Sequence, residues 1–289
     1  MQIANPIYDT VFKFLMEDKE SAILLLSTII GEEITSLDFL PQENTILLEK
    51  HFLTVYRLDF SAKVKTASGY KQLLIEIQKA KFAADIMRFR RYLGEQYSKR
   101  ENTYIEIVDG QEVKKALPIV SIYFLGYSLE HARIPVIKVN RHYYDVTKGN
   151  EITIKEDFIE SLTHDSYVIQ IPQLRESHQT DLEQLLTIFD QKQATPDYHI
   201  LTIREDAYPE KYRPLIRRLQ RAISEPEVRK TMDIEDDILE ELQDMERQIA
   251  NKDIVIEEKE KIIDEKEKII DEKEKIIEEL KKQLDKKNL

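Results

Sequence analysis

The C-terminal end of the chain repeats with a strict period of seven. "IIDEKEK" begins at Ile262 and again at Ile269, and "IIEELKK" follows at Ile276. A sustained seven-residue period is the mark of helices that bury a stripe every two turns. Ile263, Ile270, Ile277 and Leu284 share one heptad position, with Ile262, Ile269 and Ile276 beside them. The rest is Glu, Asp and Lys, almost all good helix formers. A coiled coil or a very long amphipathic helix is predicted. A lone solvated helix held by i,i+4 Glu–Lys pairs would have no use for the isoleucine doublets. A homo-oligomer through residues 254–289 is therefore expected. The stripe is not an ordinary a/d seam: with Ile263 at a, the d positions include Lys266 and Lys273, so oligomeric order and strand direction stay open.

The repeat also explains the charge. The 289-residue chain carries a net charge of −12, which looks wrong for a nucleic-acid partner. Residues 233–289, however, hold 21 acids against 12 bases, and the remainder 34 against 31, so most of the acidity sits in the tail. Three regions are predicted: an α/β domain over 1–175, a helical extension with a basic cluster over 176–232, and the acidic coiled-coil tail over 233–289.

Several classes of function are excluded. Without cysteine there can be no disulfide or thiolate zinc site. Six glycines supply no Gly-rich phosphate loop, and a nucleophile elbow is absent, so a nucleotide cofactor, hydride transfer and serine hydrolysis have no support. His142, His164, His178 and His199 lack metal-ligand spacing. "AILLLSTII" is about half a membrane span, and "MQIANPIYD" has no basic leader region. A soluble, cytoplasmic protein with no membrane partner is expected.

The chemistry is best sought in residues 55–78. Val55–Thr66 alternates, with Leu58, Phe60, Ala62 and Val64 on one side and Arg57, Asp59, Ser61 and Lys63 on the other. Lys71–Gln78 sets Leu73, Ile75 and Ile77 against Gln72, Leu74, Glu76 and Gln78. With Ser68-Gly69 as the loop, Asp59 is predicted opposite Gln78, and Ser61 opposite Glu76. Asp59 and Glu76 become diagonal neighbours on one face, roughly 7–8 Å apart at their backbones. Two carboxylates there suit a magnesium ion that also binds phosphate. Such an ion lowers the pKa of bound water and stabilises a phosphodiester under attack. On the spacing alone, the preferred reading is a pair of solvated strand carboxylates with Gln78 as a hydrogen-bonding surface amide.

Around this hairpin lie two basic segments. Lys79–Arg100 is predicted as a helix with an apolar stripe of Phe82, Ile86, Phe89 and Leu93, and carries Lys79, Lys81, Arg88, Arg90, Arg91, Lys99 and Arg100 against two acids. Those cations would hold phosphates without reading sequence. Lys211–Lys230 is a second cluster, able to widen a DNA footprint or to pair with the acidic stretch after it. "LPIVSIYFLGY", "IPVIKVNRHYYDV" and "YVIQIPQL" read as strands, and "DLEQLLTIFDQKQ" as a helix.

Taken in order, "NPIYDTVFKFLMED", "YRLDF", "LLIEIQ", "MRFRRYLGEQY", "LPIVSIYFLGY" and, more weakly, "YVIQIPQL" resemble the PD-(D/E)XK nuclease superfamily. The closer likeness is to its Rpn branch of recombination-promoting nucleases, also described as transposases. The resemblance covers roughly the first 175 residues. It implies a restriction-endonuclease-like core, a mixed sheet flanked by helices, and Mg²⁺-dependent DNA cleavage, with Mn²⁺ as a substitute. It assigns Asp59 and Glu76 as metal-binding acids, the backbone carbonyl of Ile77 as a third ligand, and Gln78 to the place usually held by lysine. Asp9, four residues before Lys13, is a further candidate ligand or one half of an ordinary i,i+4 salt bridge. Arg88 and Tyr92 match the family's pair for backbone contacts, with Arg91, Lys79 and Lys81 nearby. Two departures stand out: Leu58 replaces a proline, and Gln78 brings no charge and cannot titrate. The second leaves room for a nuclease fold kept as a DNA-binding or assembly platform.

Overall fold

The computed structural model describes residues 1–40, 46–48, 53–55, 59–81, 85–174 and 180–287. They form two compact units, Met1–Ile238 and Leu239–Leu289. The first runs β1 (Gln2–Ala4), α1 (Asp9–Glu17), α2 (Lys19–Ile30), β2 (Ile34–Phe39), β3 (Ile46–Leu48), β4 (Leu53–Val55), β5 (Asp59–Thr66) and β6 (Gly69–Gln78). Next come α3 (Asp85–Ser98), β7 (Thr103–Val108), β8 (Gln111–Ala116), β9 (Ile119–Leu125), β10 (Val136–Val139), β11 (Tyr143–Asp145) and β12 (Asn150–Ile152). The order closes with α4 (Asp157–Leu162), β13 (His164–Gln170), α5 (Asp181–Leu186), β14 (Ile200–Thr202), α6 (Arg213–Ala222) and α7 (Pro226–Lys287), which continues into the second unit.

The result is mixed α/β. A central sheet in the order β10-β13-β9-β6-β5-β2 is flanked by helices, and a long helix ends the chain. β5–β6 is a hairpin and hence antiparallel, whereas β6 reaches β9 through α3, a crossover that makes the pair parallel. β13 adds a second parallel neighbour to β9. β6 and β9 therefore sit in the middle of the sheet.

Alternation along β5 and β6 assigns the faces as the sequence predicts. Phe60, Ala62, Val64, Leu73, Ile75 and Ile77 enter the main core, shared with α1, α2 and α6. At its centre Phe12 of α1 meets Phe60 and Phe124 edge-on, with ring centroids 5.3 and 5.6 Å apart. "AILLLSTII" is part of the buried helix α2, which is capped by Asp18 on the Ser21 N–H and closed by Gly31 at φ 72°. Among the described residues no helix is long and apolar enough to cross a membrane.

Residues 180–232 fold with the first unit rather than beside it. β14 pairs with β1, the N-terminal amine donates to the Ile203 carbonyl at 2.9 Å, and α6 buries Leu215, Ile216 and Leu219. The β7–β8 ribbon, which the sequence reading passed over, turns at Asp109-Gly110 with φ 53° and 77°. Asp-Gly in that conformation is a strong hairpin signal.

Because Phe12 joins the aromatic cluster to α1, Phe12→Ala is expected to lower stability by about 3–5 kcal/mol. Urea unfolding followed by far-UV circular dichroism measures it, with the smaller truncation Phe12→Leu losing less.

Candidate functional site

The hairpin register places the two carboxylate positions closer than predicted. Thr66 pairs with Gly69 and Asp59 directly with Glu76, so the loop is Ala67-Ser68 and every facing pair moves by two from the prediction. Gly69 ends the turn at φ 116°, a conformation costly for any L side chain. A shift of two preserves the faces, whereas a shift of one would have reversed them. Directly opposed positions of an antiparallel pair lie on one face, so the expected grouping of Asp59 with Glu76 holds as a backbone relation. The predicted Asp59–Gln78 pairing does not.

Hydrogen-bond direction refines the pair. The Gln72 N–H donates to the Pro118 carbonyl and the Gln78 carbonyl accepts from the Gly126 N–H, so even-numbered residues of β6 turn their backbone groups toward β9. Glu76 follows suit, which makes Asp59–Glu76 a non-hydrogen-bonded pair with Cα atoms about 4.5 Å apart, the closer of the two antiparallel arrangements. By the same alternation the Ile77 carbonyl points to the β5 side.

Both flanks of β6 are packed. Glu76 is 4% and Gln78 8% exposed. Gln78 Oε1 accepts from the Tyr127 hydroxyl at 2.8 Å, which leaves the NH₂ end of the amide as its donor. Gly126 permits this junction: a Cβ there would lie 2.3 Å from the Lys79 carbonyl oxygen. Tyr123 stands across from Glu76 on β9, its hydroxyl pushed up by burial and by the Glu76 charge. Phe89 of α3 packs edge-on against it at 4.4 Å.

The helix over this face differs from its prediction. It spans Asp85–Ser98, and buries Phe89 and Tyr92 with Leu74 and Ile119, while Ile86, assigned to the stripe, is 63% exposed. Phe82 lies outside the described residues. Tyr92, predicted to touch DNA, is 7% exposed and belongs to this small core. The Asp59 and Arg88 side chains also lie outside the described residues. Below the helix a buried polar chain runs from Ser61 through Gln72 and Gln96 to Asn102, with links of 2.8, 2.9 and 3.1 Å.

Of the remaining cations, Arg91 is exposed, and Lys81 is exposed and lies 3.6 Å from Glu130. Lys79 is occupied elsewhere. Its ammonium sits 3.5 Å over the Tyr8 ring and is bound by Asp236, which also accepts from the Tyr8 hydroxyl at 2.8 Å and from His199 Nε2 at 2.8 Å. Beside it, Glu235 accepts from the backbone N–H groups of Asp9 and Thr10, both at 2.9 Å. Tyr8 gives α1 no side-chain cap, so a residue of α7 caps that helix from 225 positions away. Asp9 therefore donates its N–H to Glu235, and its charge acts on Lys79. In the second basic cluster, Arg218 lies 3.6 Å over the Phe14 ring and donates to the Phe14 carbonyl, Lys211 pairs with Asp181 and Arg213 with Glu210. The acidic stretch that follows spends Glu235 and Asp236 on α1, Tyr8, Lys79 and His199.

The donor types fit a hard divalent ion: two carboxylate positions at contact spacing on β5 and β6, and a backbone carbonyl turned toward β5. Among the described side chains, no group of three or more His, Asp or Glu residues is arranged to hold a metal.

Two outcomes follow. Gly126→Ala drives a methyl into the Lys79 backbone, and is expected to cost about 1–3 kcal/mol and to release the Gln78–Tyr127 contact. Urea unfolding and the amide proton resonances of Gln78 check both. Burial pushes Glu235 up to about 7 against the hydrogen bonds of Thr10 and Asp9. Its folded form then holds a proton more tightly than the unfolded chain, so its contribution to stability is fully present below the ordinary carboxylate range and is lost as pH rises through about 7. Urea midpoints at pH 5 and pH 8 should fall further in wild type than in Glu235→Gln.

Comparison with protein-family models, with curated proteins and with solved structures gives no match.

Proposed function

We propose that the chain is a metal-dependent endonuclease that hydrolyses DNA phosphodiester bonds. The observation that carries this reading is the close Asp59–Glu76 pair on β5 and β6, followed two residues later by an amide fixed by Tyr127. Magnesium bound there would lower the pKa of a water and neutralise charge on the phosphate, and manganese would substitute. Asp59 and Glu76 would hold it, with the Ile77 carbonyl as a third ligand. Gln78 cannot take a proton, so its NH₂ end would orient the attacking water through a lone pair. Arg91 and Lys81 are exposed and would contact the backbone of the duplex, giving an affinity that falls steeply with salt. A place in DNA recombination or mobile-element biology rests on the resemblance to Rpn proteins, and a cytoplasmic setting on the cysteine-free composition.

One observation favours a second reading. Glu76 is buried across from Tyr123, and Gln78 offers no cation, which suits a nuclease fold retained as a DNA-binding or assembly platform.

Plasmid nicking at low salt separates the two. Wild type is expected to nick with magnesium or manganese and not with EDTA, and Asp59→Ala to slow cleavage by at least about 100-fold. Equal rates in wild type and variant, both free of contaminating nuclease, would sink the endonuclease reading. DNA binding without cleavage in any metal would favour the platform.

A further inference from the structure

The second unit is a stretch of α7 whose apolar side chains have no cover within it. Ile262, Ile263, Ile269, Ile270, Ile276 and Ile277 are each 50–55% exposed. At about 100° per residue, Ile262 and Ile263 lie on either side of a line on which Lys266 falls, midway to the next isoleucine pair. Lys259 and Lys273 repeat that placement one heptad away in each direction. Outside the isoleucines stand Glu265 and Glu267, with Glu258 and Glu260, and Glu272 and Glu274, as their equivalents. The face is thus a ladder of isoleucine rungs about 10.5 Å apart, with a lysine between successive rungs and a glutamate on each rim.

We propose that this face is covered by the same face of a second copy of this chain, isoleucine rungs against isoleucine rungs, and each lysine reaching the rim glutamates of the other copy. The occupant must offer apolar groups at one spacing and carboxylates at the levels between. The repeat meets both demands itself, since Glu-Lys-Glu brackets each gap. An anionic bilayer or a nucleic acid would meet glutamates along both edges of the stripe. Lysine at the centre of a seam weakens pairing with an all-apolar partner helix and favours one that answers the charge, so the arrangement selects its own kind. The inference stands apart from the nuclease reading, because it concerns mass and not cleavage.

Sedimentation of the full-length chain at low salt, without metal or DNA, tests it. Wild type is expected to sediment as a multimer at tens of micromolar concentration, and Ile263/Ile270/Ile277→Asn as a monomer whose first unit unfolds in urea as wild type does. Lys259/Lys266/Lys273→Glu alone should be monomeric, and so should the variant with the six bracketing glutamates changed to lysine. Mixing these two should restore a complex containing both. A monomeric wild type, an isoleucine variant of unchanged mass, or charge variants that assemble alone as wild type does would each overturn the proposal.

Discussion

The burial of β6 on both faces governs the rest of the first unit. One face carries Leu73, Ile75 and Ile77 into the main core, and the other carries Gln72, Glu76 and Gln78 beneath α3 and its neighbours. A polar group removed from water and left unpaired costs about 1–3 kcal/mol, so a strand of this composition must find its partners inside the protein. It does so through Ser61, Gln96 and Tyr127, with Gln72 Oε1 the described side-chain atom left buried and unpaired. An apolar strand would have been cheaper to bury. That expense is the physical reason to look for chemistry on this face, where Glu76 is paired with Asp59.

The same unit is tied together by contacts between its two sequence ends. β1 pairs with β14, Asn5 donates to the Tyr198 carbonyl at 2.6 Å, and Glu235 and Asp236 occupy the start of α1 and the ammonium of Lys79. Carboxyl oxygens suit that place because the first turn of a helix presents N–H groups that no residue of the helix itself can accept from. Lys79 cannot serve as a free phosphate contact while Asp236 and the Tyr8 ring hold it. A basic residue read from the sequence as part of a DNA surface is in this fold a structural tie.

What the sequence made legible was local. The alternation of β5 and β6 separates Asp59, Glu76 and Gln78 from the core-facing residues, because a period of two survives an error of two in register. The exact partner did not survive, since Gly69 takes its positive φ just after the turn rather than inside it. The apolar stripe of α3 was misjudged because Tyr92 counted as a polar contact, whereas its ring packs with Phe89 and Leu74. The β7–β8 ribbon is legible in Asp109-Gly110, a dipeptide suited to a two-residue hairpin turn. Glu235 and Asp236 could not be singled out: among many acids, nothing in spacing or composition marks two whose partners are the start of α1, Tyr8, Lys79 and His199.

The position of those two acids also fixes where the chain can be shortened. Composition turns acidic at Asp233, but the first compact unit extends to Ile238. The short interval between these boundaries contains both Glu235 and Asp236. A fragment trimmed at the change in composition would leave α1 uncapped and Lys79 buried without its counter-charge, while one trimmed after Ile238 would keep both.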